Sequence, residues 1–273
     1  MITTISADGT DVRALDSGQG PIILVVHPGM DDGSSWKKVT AVLAGQFRVL
    51  TLLRRQYRLD IASGVPASIA EEVADIKALA RLVGKPMLIV GHSSGAVVAL
   101  EALSALPTSF TGGVLYEPPL RTDGPVGGVA LLSAKAAIAA GKPGKAMQIF
   151  TRDMVGLPAW QAAMIRVFVA ASPRLRRLVP RQMDDNTALE ELGTRLDLYK
   201  EIQTPVLLIG GDKSPGHLGR KLDVLARTVP NAGRHVMRGQ GHSANLRAPD
   251  ELARVIAEFH AAATRQDPGI GRP

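Results

Sequence analysis

Short apolar runs alternate with longer helix-like segments along most of the chain, and this alternation is the feature that most constrains its fold. The runs are Ile22–Val26, Val49–Leu53, Met87–Val90, Gly113–Tyr116, Val206–Ile209 and His235–Met237. Helix-like segments follow them at Ser34–Leu43, Ser68–Val83, Ser94–Leu106, Leu218–Val229 and Pro249–Ala263. Apolar strands that each precede a helix are typical of a parallel sheet covered on both faces. With an edge hairpin over residues 2–16, we predict a doubly wound α/β fold with an eight-stranded, mostly parallel sheet.

The alternation stops between Pro119 and Thr204, where the sequence is typical of helices alone. The helix-like segments there cover residues 129–141, 145–156, 160–173 and 188–202. About 80 residues is more than a crossover between parallel strands needs. Because ligands bind at the carboxyl ends of such strands, we expect residues 120–203 to form a helical cap over that edge, inserted after strand six. Residues 1–119 and 204–264 then form the core, and residues 265–273 are predicted to be a disordered tail.

Charge, cysteine content and hydropathy argue against a nucleic-acid-binding, a disulfide-bonded and a membrane-spanning protein. The net charge is +7, but the arginines are scattered without interleaved aromatic residues, so we expect a solvated basic surface and no nucleic-acid partner. The absence of cysteine excludes disulfides and thiolate chemistry. No apolar run is long enough to cross a bilayer and no secretory signal is recognised, so we predict a cytoplasmic protein with no membrane partner. A small-molecule substrate is expected, and a homodimer is left open.

The segment "GHSSG" at residues 91–95 separates the apolar run Met87–Val90 from a helix-like segment. G-x-S-x-G between a strand and a helix is the pattern of a nucleophile elbow, in which a strained turn exposes the serine above the sheet. Glycines suit positions where a Cβ would collide with neighbouring backbone. Ser93 is therefore the candidate nucleophile, and the alternative is an ordinary turn rich in small residues.

A serine hydroxyl is a poor nucleophile unless a base removes its proton. His242 is the preferred candidate, because it lies in "RGQGHSAN", a glycine-containing loop between the last strand and the last helix. His92 adjoins Ser93, but in a tight turn its side chain points away from the serine. Three further histidines are interpreted as surface or packing residues: His217, His235 and His260.

Together these motifs resemble the α/β-hydrolase superfamily along nearly the whole chain. The resemblance rests on "VVHPGM", "GHSSG", "YEPP", "LLIGGDKSP" and "GQGHS", which follow successive strands, and on the order serine, acid, histidine. It implies an oxyanion hole formed by the backbone N–H groups of Met30 and Ser94, with the Met30 side chain lining the pocket. The segment "LLRRQYRLD" differs from the usual family loop, and it either shapes the pocket or lies on the surface.

The chain departs from the family pattern at the acid. Family members usually carry the acid after strand seven, where this chain has Ser214, and Asp212 comes two residues too early. Some members instead place it at the end of strand six, where Glu117 precedes two prolines that stiffen the chain. Glu117 is thus the preferred acid and Asp212 the alternative.

The resemblance implies a serine hydrolase that needs no cofactor and has no metal site. Serine chemistry suits an ester, a thioester, a lactone or an activated carbon–carbon bond, and the apolar content of the cap indicates a mainly hydrophobic small substrate. Two alternatives are a lyase or cyclase that reuses the pocket, and a ligand-binding homologue without catalytic activity. The residues expected to contact substrate are His27, Gly29, Trp160, Met164 and Phe168.

Overall fold

The computed structural model describes residues 1–61, 67–122 and 124–266. The strands of this described chain are β1 Ile2–Ile5, β2 Asp11–Ser17, β3 Ile22–Val26, β4 Arg48–Leu52, β5 Met87–His92, β6 Phe110–Tyr116, β7 Val206–Gly211 and β8 Ala232–Met237. They form one sheet in the order β1-β2-β4-β3-β5-β6-β7-β8. The β1–β2 and β2–β4 pairs are antiparallel and all later pairs are parallel. The predicted doubly wound, mostly parallel α/β sheet is confirmed.

Helices connect the strands and cover the sheet. Within the described residues they are α1 Lys37–Leu43, α2 Ile69–Val83, α3 Ser94–Ala105, α4 Gly128–Ala139, α5 Pro143–Ile149, α6 Ala159–Ala171, α7 Pro173–Leu192, α8 Leu196–Tyr199, α9 Gly216–Thr228, α10 Ala244–Arg247 and α11 Pro249–Gln266. Short 3₁₀ turns lie at Ser34–Trp36, Arg55–Tyr57 and Pro107–Ser109, and a π-helical turn at Phe150–Met154 extends α5.

The continuous apolar character of β3 is explained by helices on both faces of the sheet. Leu24 lies in one hydrophobic cluster with residues of α2, α3 and α9. Its neighbours Ile23 and Val25 lie in a second cluster with residues of α1 and α11. Successive side chains of a strand point to opposite faces, so a strand between two helical layers must be apolar at every position.

The cap contains its own small hydrophobic core, built from α4, α5, α6 and α7. The largest difference from the sequence prediction is α7, which runs for 20 residues through Pro180. Proline removes a backbone donor and normally ends or kinks a helix. Here Leu178, Val179 and Met183 are all buried around that position, so tertiary packing outweighs the local penalty. The helix ends at Leu192, and Gly193 follows it in the connection to α8, so the single helix expected over residues 188–202 is divided in two.

The carboxyl end of the described chain also differs from the prediction. Helix α11 extends to Gln266, so Arg265 belongs to a helix and not to a disordered tail. The rest of the predicted tail, residues 267–273, lies outside the described residues. Across the described ranges, no helix combines the length and the hydropathy that crossing a bilayer requires.

Candidate active site

Ser93 lies on the turn between β5 and α3, with backbone φ of 54° and ψ of −126°. Its flanking glycines allow very close backbone approaches. A Cβ on Gly91 would lie 2.5 Å from the backbone of α3, and a Cβ on Gly95 would lie 2.3 Å from the carbonyl oxygen of His27. Any side chain at either position would displace the backbone, so the structure gives the physical reason for the G-x-S-x-G spacing.

Strained backbone is concentrated at one edge of the sheet. In the described chain, the residues other than glycine with positive φ are Met30 at 56°, Ser93 at 54° and Glu117 at 46°. They follow β3, β5 and β6, which are neighbours in the sheet. A Cβ makes positive φ unfavourable, and such residues cluster at functional sites. The strain therefore marks the carboxyl edge between the sheet and the cap.

His242 forms its side-chain contact with Glu117. Nδ1 of His242 lies 2.6 Å from Oε2 of Glu117, and Oε1 of the same carboxyl group accepts a hydrogen bond of 2.8 Å from the N–H of Gly211. Glu117 is buried, with 1% of its surface exposed. Because an ionised carboxylate only accepts hydrogen bonds, Nδ1 of His242 is the donor, and in the neutral form of the ring the lone pair then lies on Nε2.

Asp212, the alternative acid, forms its hydrogen bond with the backbone and not with His242. It is exposed, and its carboxylate accepts a hydrogen bond of 2.7 Å from the N–H of Gly239. Ser214, at the usual family position of the acid, has a buried hydroxyl without a hydrogen-bond partner in the described chain. Of the two carboxylates that the sequence nominated, Glu117 is the one hydrogen-bonded to His242.

The side chains of Ser93 and His242 line one cavity of about 60 Å³. Within the described chain no hydrogen bond joins the serine hydroxyl to the imidazole. Catalytic hydrogen bonds are often long before substrate binds. The relation between Ser93 and His242 in this structure is therefore that both line the same cavity. It brings together two residues that are distant along the chain.

The loop that carries His242 is held by His92 and Tyr116. Trp36 donates a hydrogen bond of 3.4 Å from Nε1 to Nδ1 of His92. Nε2 of His92 therefore carries the proton, and it donates to the carbonyl oxygen of His242 at 2.9 Å. The ring of Tyr116 stacks on that of His92, with 4.5 Å between the ring centroids. The Tyr116 hydroxyl donates to the carbonyl oxygen of Gly241 and accepts from the N–H of Ala244, one on each side of His242. Burial holds the pKa of His92 well below its usual value, so the ring stays neutral.

The candidate oxyanion donors, the N–H groups of Met30 and Ser94, have no hydrogen-bond acceptor within the described residues. Free N–H groups are what an oxyanion hole requires. The Met30 side chain differs from the prediction. It packs against the hydrophobic core of the cap and does not line the cavity that holds Ser93.

The cap residues that were expected to contact substrate lie elsewhere. Trp160, Met164 and Phe168 are 64%, 49% and 64% exposed, and they lie on the outer face of α6. This helix is apolar on both faces, so its sequence does not specify which face points inward. The cap residues that do line the cavity are Val126, Phe150, Met154, Val155, Gln182, Asn186 and Leu189.

His27 and Gly29, which were expected to contact substrate, are also outside the lining of this cavity. His27 is fully buried, with Nε2 accepting from the N–H of Arg54 at 3.3 Å, and it lies at the wall of a second cavity of about 760 Å³. Burial lowers the pKa of His27 to about 4. A Cβ on Gly29 would lie 2.1 Å from Oε1 of Gln182. Both residues therefore hold the loop that precedes Met30. Helix α7 contacts this loop through Gln182.

A buried charge network that the sequence did not predict connects the cap to the serine turn. The fully buried guanidinium of Arg54 donates two hydrogen bonds to Glu72, at 2.9 and 2.6 Å, and one to Asp185 of α7 at 3.0 Å. It also donates to Oγ of Ser94 at 2.8 Å. Burial alone lowers the pKa of Arg54, but Asp185 and Glu72 raise it above its usual value, so the guanidinium stays charged. The segment "LLRRQYRLD", which was expected either to shape a pocket or to lie on the surface, thus joins the cap to the core through Arg54, and its residues Leu53, Tyr57 and Arg58 line the cavity of about 760 Å³.

A serine on a strand–turn–helix elbow, a histidine in the loop after β8 that pairs with a carboxylate at the end of β6, and a helical cap above them define the α/β-hydrolase class of protein. The sequence profile described as "Alpha/beta hydrolase family" matches residues 23–255. The chain belongs to the alpha/beta hydrolase family.

Individual relatives agree with this assignment. A curated protein of Bacillus subtilis (strain 168), "Uncharacterized hydrolase YraK", is 32% identical over 120 residues, which is 43% of this chain and 44% of that protein's length. The crystal structure of an alpha/beta hydrolase from Sphaerobacter thermophilus DSM 20745 is 27% identical, with a TM-score of 0.82, over 95% of this chain and all of that one. A thermophilic esterase from Thermogutta terrifontis shares the fold at 20% identity, with a TM-score of 0.74, over 96% of this chain and 98% of the esterase.

Proposed function

We propose that this protein is a cofactor-independent serine hydrolase that cleaves an ester, a thioester, a lactone or an activated carbon–carbon bond in a mainly hydrophobic small molecule. The observation that carries the proposal is the 2.6 Å contact between His242 Nδ1 and Glu117 Oε2, at the cavity that Ser93 shares with His242. This contact leaves the lone pair of Nε2 available as a base.

In the proposed reaction, Nε2 of His242 takes the proton of the Ser93 hydroxyl as Oγ attacks the substrate carbonyl carbon. The negative charge that develops on the carbonyl oxygen is stabilised by the N–H groups of Met30 and Ser94. His242 then passes its proton to the leaving group, which departs and leaves an acyl-serine. A water molecule gives a proton to Nε2 as its oxygen attacks the acyl carbon of this ester. The bond from that carbon to Oγ then breaks, Oγ takes the proton back from Nε2, and the carboxylic acid leaves with Ser93 and His242 restored.

The size and walls of the cavity indicate a short acyl group. A volume of about 60 Å³ holds about four to six water-sized groups, because one such group requires roughly 10–15 Å³ by this measure. Phe150, Met154 and Leu189 supply apolar walls. Acetyl to butyryl esters are therefore expected to react faster than octanoyl or decanoyl esters.

The proposal is tested with a fluorophosphonate probe and a series of p-nitrophenyl esters. We expect mass spectrometry to find the probe on Ser93, and Ser93→Ala and His242→Ala each to abolish ester hydrolysis in folded protein. Folded wild-type protein that neither reacts with the probe nor hydrolyses any ester of the series contradicts the proposal. Substantial turnover of a substrate by Ser93→Ala favours the lyase or cyclase chemistry instead.

A further inference from the structure

One segment of the cap is strongly basic. Residues 124–183 contain nine Lys and Arg residues and a single acidic residue, Asp153. The rest of the sequence contains 23 basic and 24 acidic residues. Over the whole cap, residues 120–203, twelve basic and eight acidic residues leave a net charge of +4, so the excess of cations is local to the segment 124–183.

Four of these cations line one groove at the junction of α5, α6 and α7. The groove has a volume of about 250 Å³, and its charged lining residues are Lys142, Lys145, Arg166 and Arg176. No carboxylate lies in its lining, and in the described chain none of the four cations forms an ion pair. Among the described residues, the one side-chain acceptor for these cations is Oε1 of Gln148, which Arg166 contacts at 3.2 Å. Unpaired cations that converge on one groove form a site for anionic groups.

An exposed apolar surface lies on the same helix. It consists of four α6 residues that recur at helical spacing and are 64%, 49%, 67% and 64% exposed, and we call it the α6 stripe: Trp160, Met164, Val167 and Phe168. Ala162 and Val169, on the opposite face, are buried in the cap. Arg166 and Ala170 place the cationic groove along the flank of this helix. A contiguous exposed apolar surface in a water-soluble fold marks an interaction site.

We propose that the α6 stripe and the adjoining cationic groove dock on the surface of an anionic phospholipid bilayer. Apolar and aromatic side chains beside Lys and Arg match the boundary between acyl chains and anionic headgroups. A nucleic acid complements the cations but offers nothing to Val167 or Met164. A second copy of this chain would bring two cap surfaces of the same charge together. The proposal replaces the expectation of no membrane partner, and it involves docking without insertion of a helix across the bilayer.

Sedimentation with vesicles tests the proposal on the full chain. We expect binding to vesicles of phosphatidylglycerol and phosphatidylcholine, weak binding to phosphatidylcholine alone, and loss of binding in 1 M salt, where the Debye length is only about 3 Å. Each basic residue near such a surface contributes about fivefold to binding, so the quadruple variant K142Q/K145Q/R166Q/R176Q is expected to bind at least tenfold more weakly. A charge-matched control changes four exposed cations of the core: K38Q/K77Q/K85Q/R227Q.

Tryptophan fluorescence gives an independent readout of the α6 stripe. The sequence has two tryptophans, and Trp36 is fully buried whereas Trp160 is exposed. A blue shift on addition of anionic vesicles therefore reports entry of Trp160 into the interface. The variant M164Q/V167Q/F168Q keeps this reporter, and we expect it to lose most of the shift and of the sedimentation.

Three outcomes would overturn the proposal. The first is absence of sedimentation and of a blue shift with anionic vesicles at low salt. The second is equal weakening by the groove variant and the core control, which indicates a nonspecific effect of net charge. The third is binding of duplex DNA by wild-type protein that ignores vesicles, which identifies a nucleic acid as the partner. Circular dichroism and thermal unfolding check that each variant is folded.

Discussion

Replacing Glu117 by glutamine is the sharpest test of the proposed acid, because the structure fixes how the new amide must lie. Oε1 of Glu117 accepts from the N–H of Gly211, and Oε2 faces Nδ1 of His242. In Glu117→Gln the amide oxygen has to face Gly211, since the NH₂ group would otherwise meet another donor. The NH₂ group then faces Nδ1 of His242 and donates to it.

This arrangement gives His242 the wrong tautomer for catalysis. If Nδ1 accepts a hydrogen bond, the ring proton moves to Nε2, which can no longer take a proton from Ser93. An amide in place of the acid of a Ser-His-Asp triad lowers kcat by about 10⁴-fold for this reason. We expect a loss of roughly 10³–10⁴-fold here, with a small change in KM.

Asp212→Asn is the matched control, because it makes the same chemical change at the exposed alternative acid. Its carboxylate contacts only the N–H of Gly239 among the hydrogen bonds of the described chain, so we expect activity within about twofold of wild type. The assay is kcat/KM for a short p-nitrophenyl ester from pH 5 to 9. The assignment of the acid is refuted if Glu117→Gln retains half of the activity, or if Asp212→Asn is the variant that loses it.

Three further substitutions test the residues around the site. His92→Phe keeps the ring stack but removes the donor to the base loop, so kcat is expected to fall about tenfold at nearly constant KM; a change in KM alone contradicts this. Arg54→Met leaves Glu72 and Asp185 buried without a cation, so urea unfolding at pH 8 is expected to show a loss of about 3–5 kcal/mol. The loss is expected to be smaller at pH 5, because burial raises the pKa of the Glu72 carboxyl. The pKa of His27 is about 4 when folded against 6.5 unfolded. Because the unfolded chain binds this proton more readily, the free energy of unfolding falls by about 3 kcal/mol as the pH falls from 6.5 towards 4, and it is unaffected by His27 above pH 6.5. His27→Gln is expected to flatten this part of the pH profile.

The order of strands and helices was predictable because it follows from local patterns. Each parallel strand is a short apolar run and each helix has its own periodicity, so β3, β5 and β7 were placed within two residues of their bounds. The cap was harder to predict. Helix α7 runs through Pro180 because its buried side chains compensate for a local defect, and no local pattern records that compensation.

The candidate site was predictable where a motif constrains the backbone. Close approaches to Gly91 and Gly95 explain why the turn that carries Ser93 could be recognised. The residues that hold the base loop were missed, because His92, Tyr116 and Trp36 meet only through tertiary contacts. The α6 residues that were expected to contact substrate lie outside the lining of the cavity, because a helix that is apolar on two faces does not specify its inner one.

The sequence by itself determined the alternating sheet, the strained serine turn and the small set of groups able to act as base or acid. Those features depend on residues that are neighbours along the chain or that repeat at a fixed spacing. Tertiary structure alone decided that Glu117 is hydrogen-bonded to His242, that Arg54 joins the cap to the core, and that the outer face of α6 is exposed beside a cationic groove. These are pairings between distant segments, and their energies depend on burial and direction, which exist only once the chain has folded.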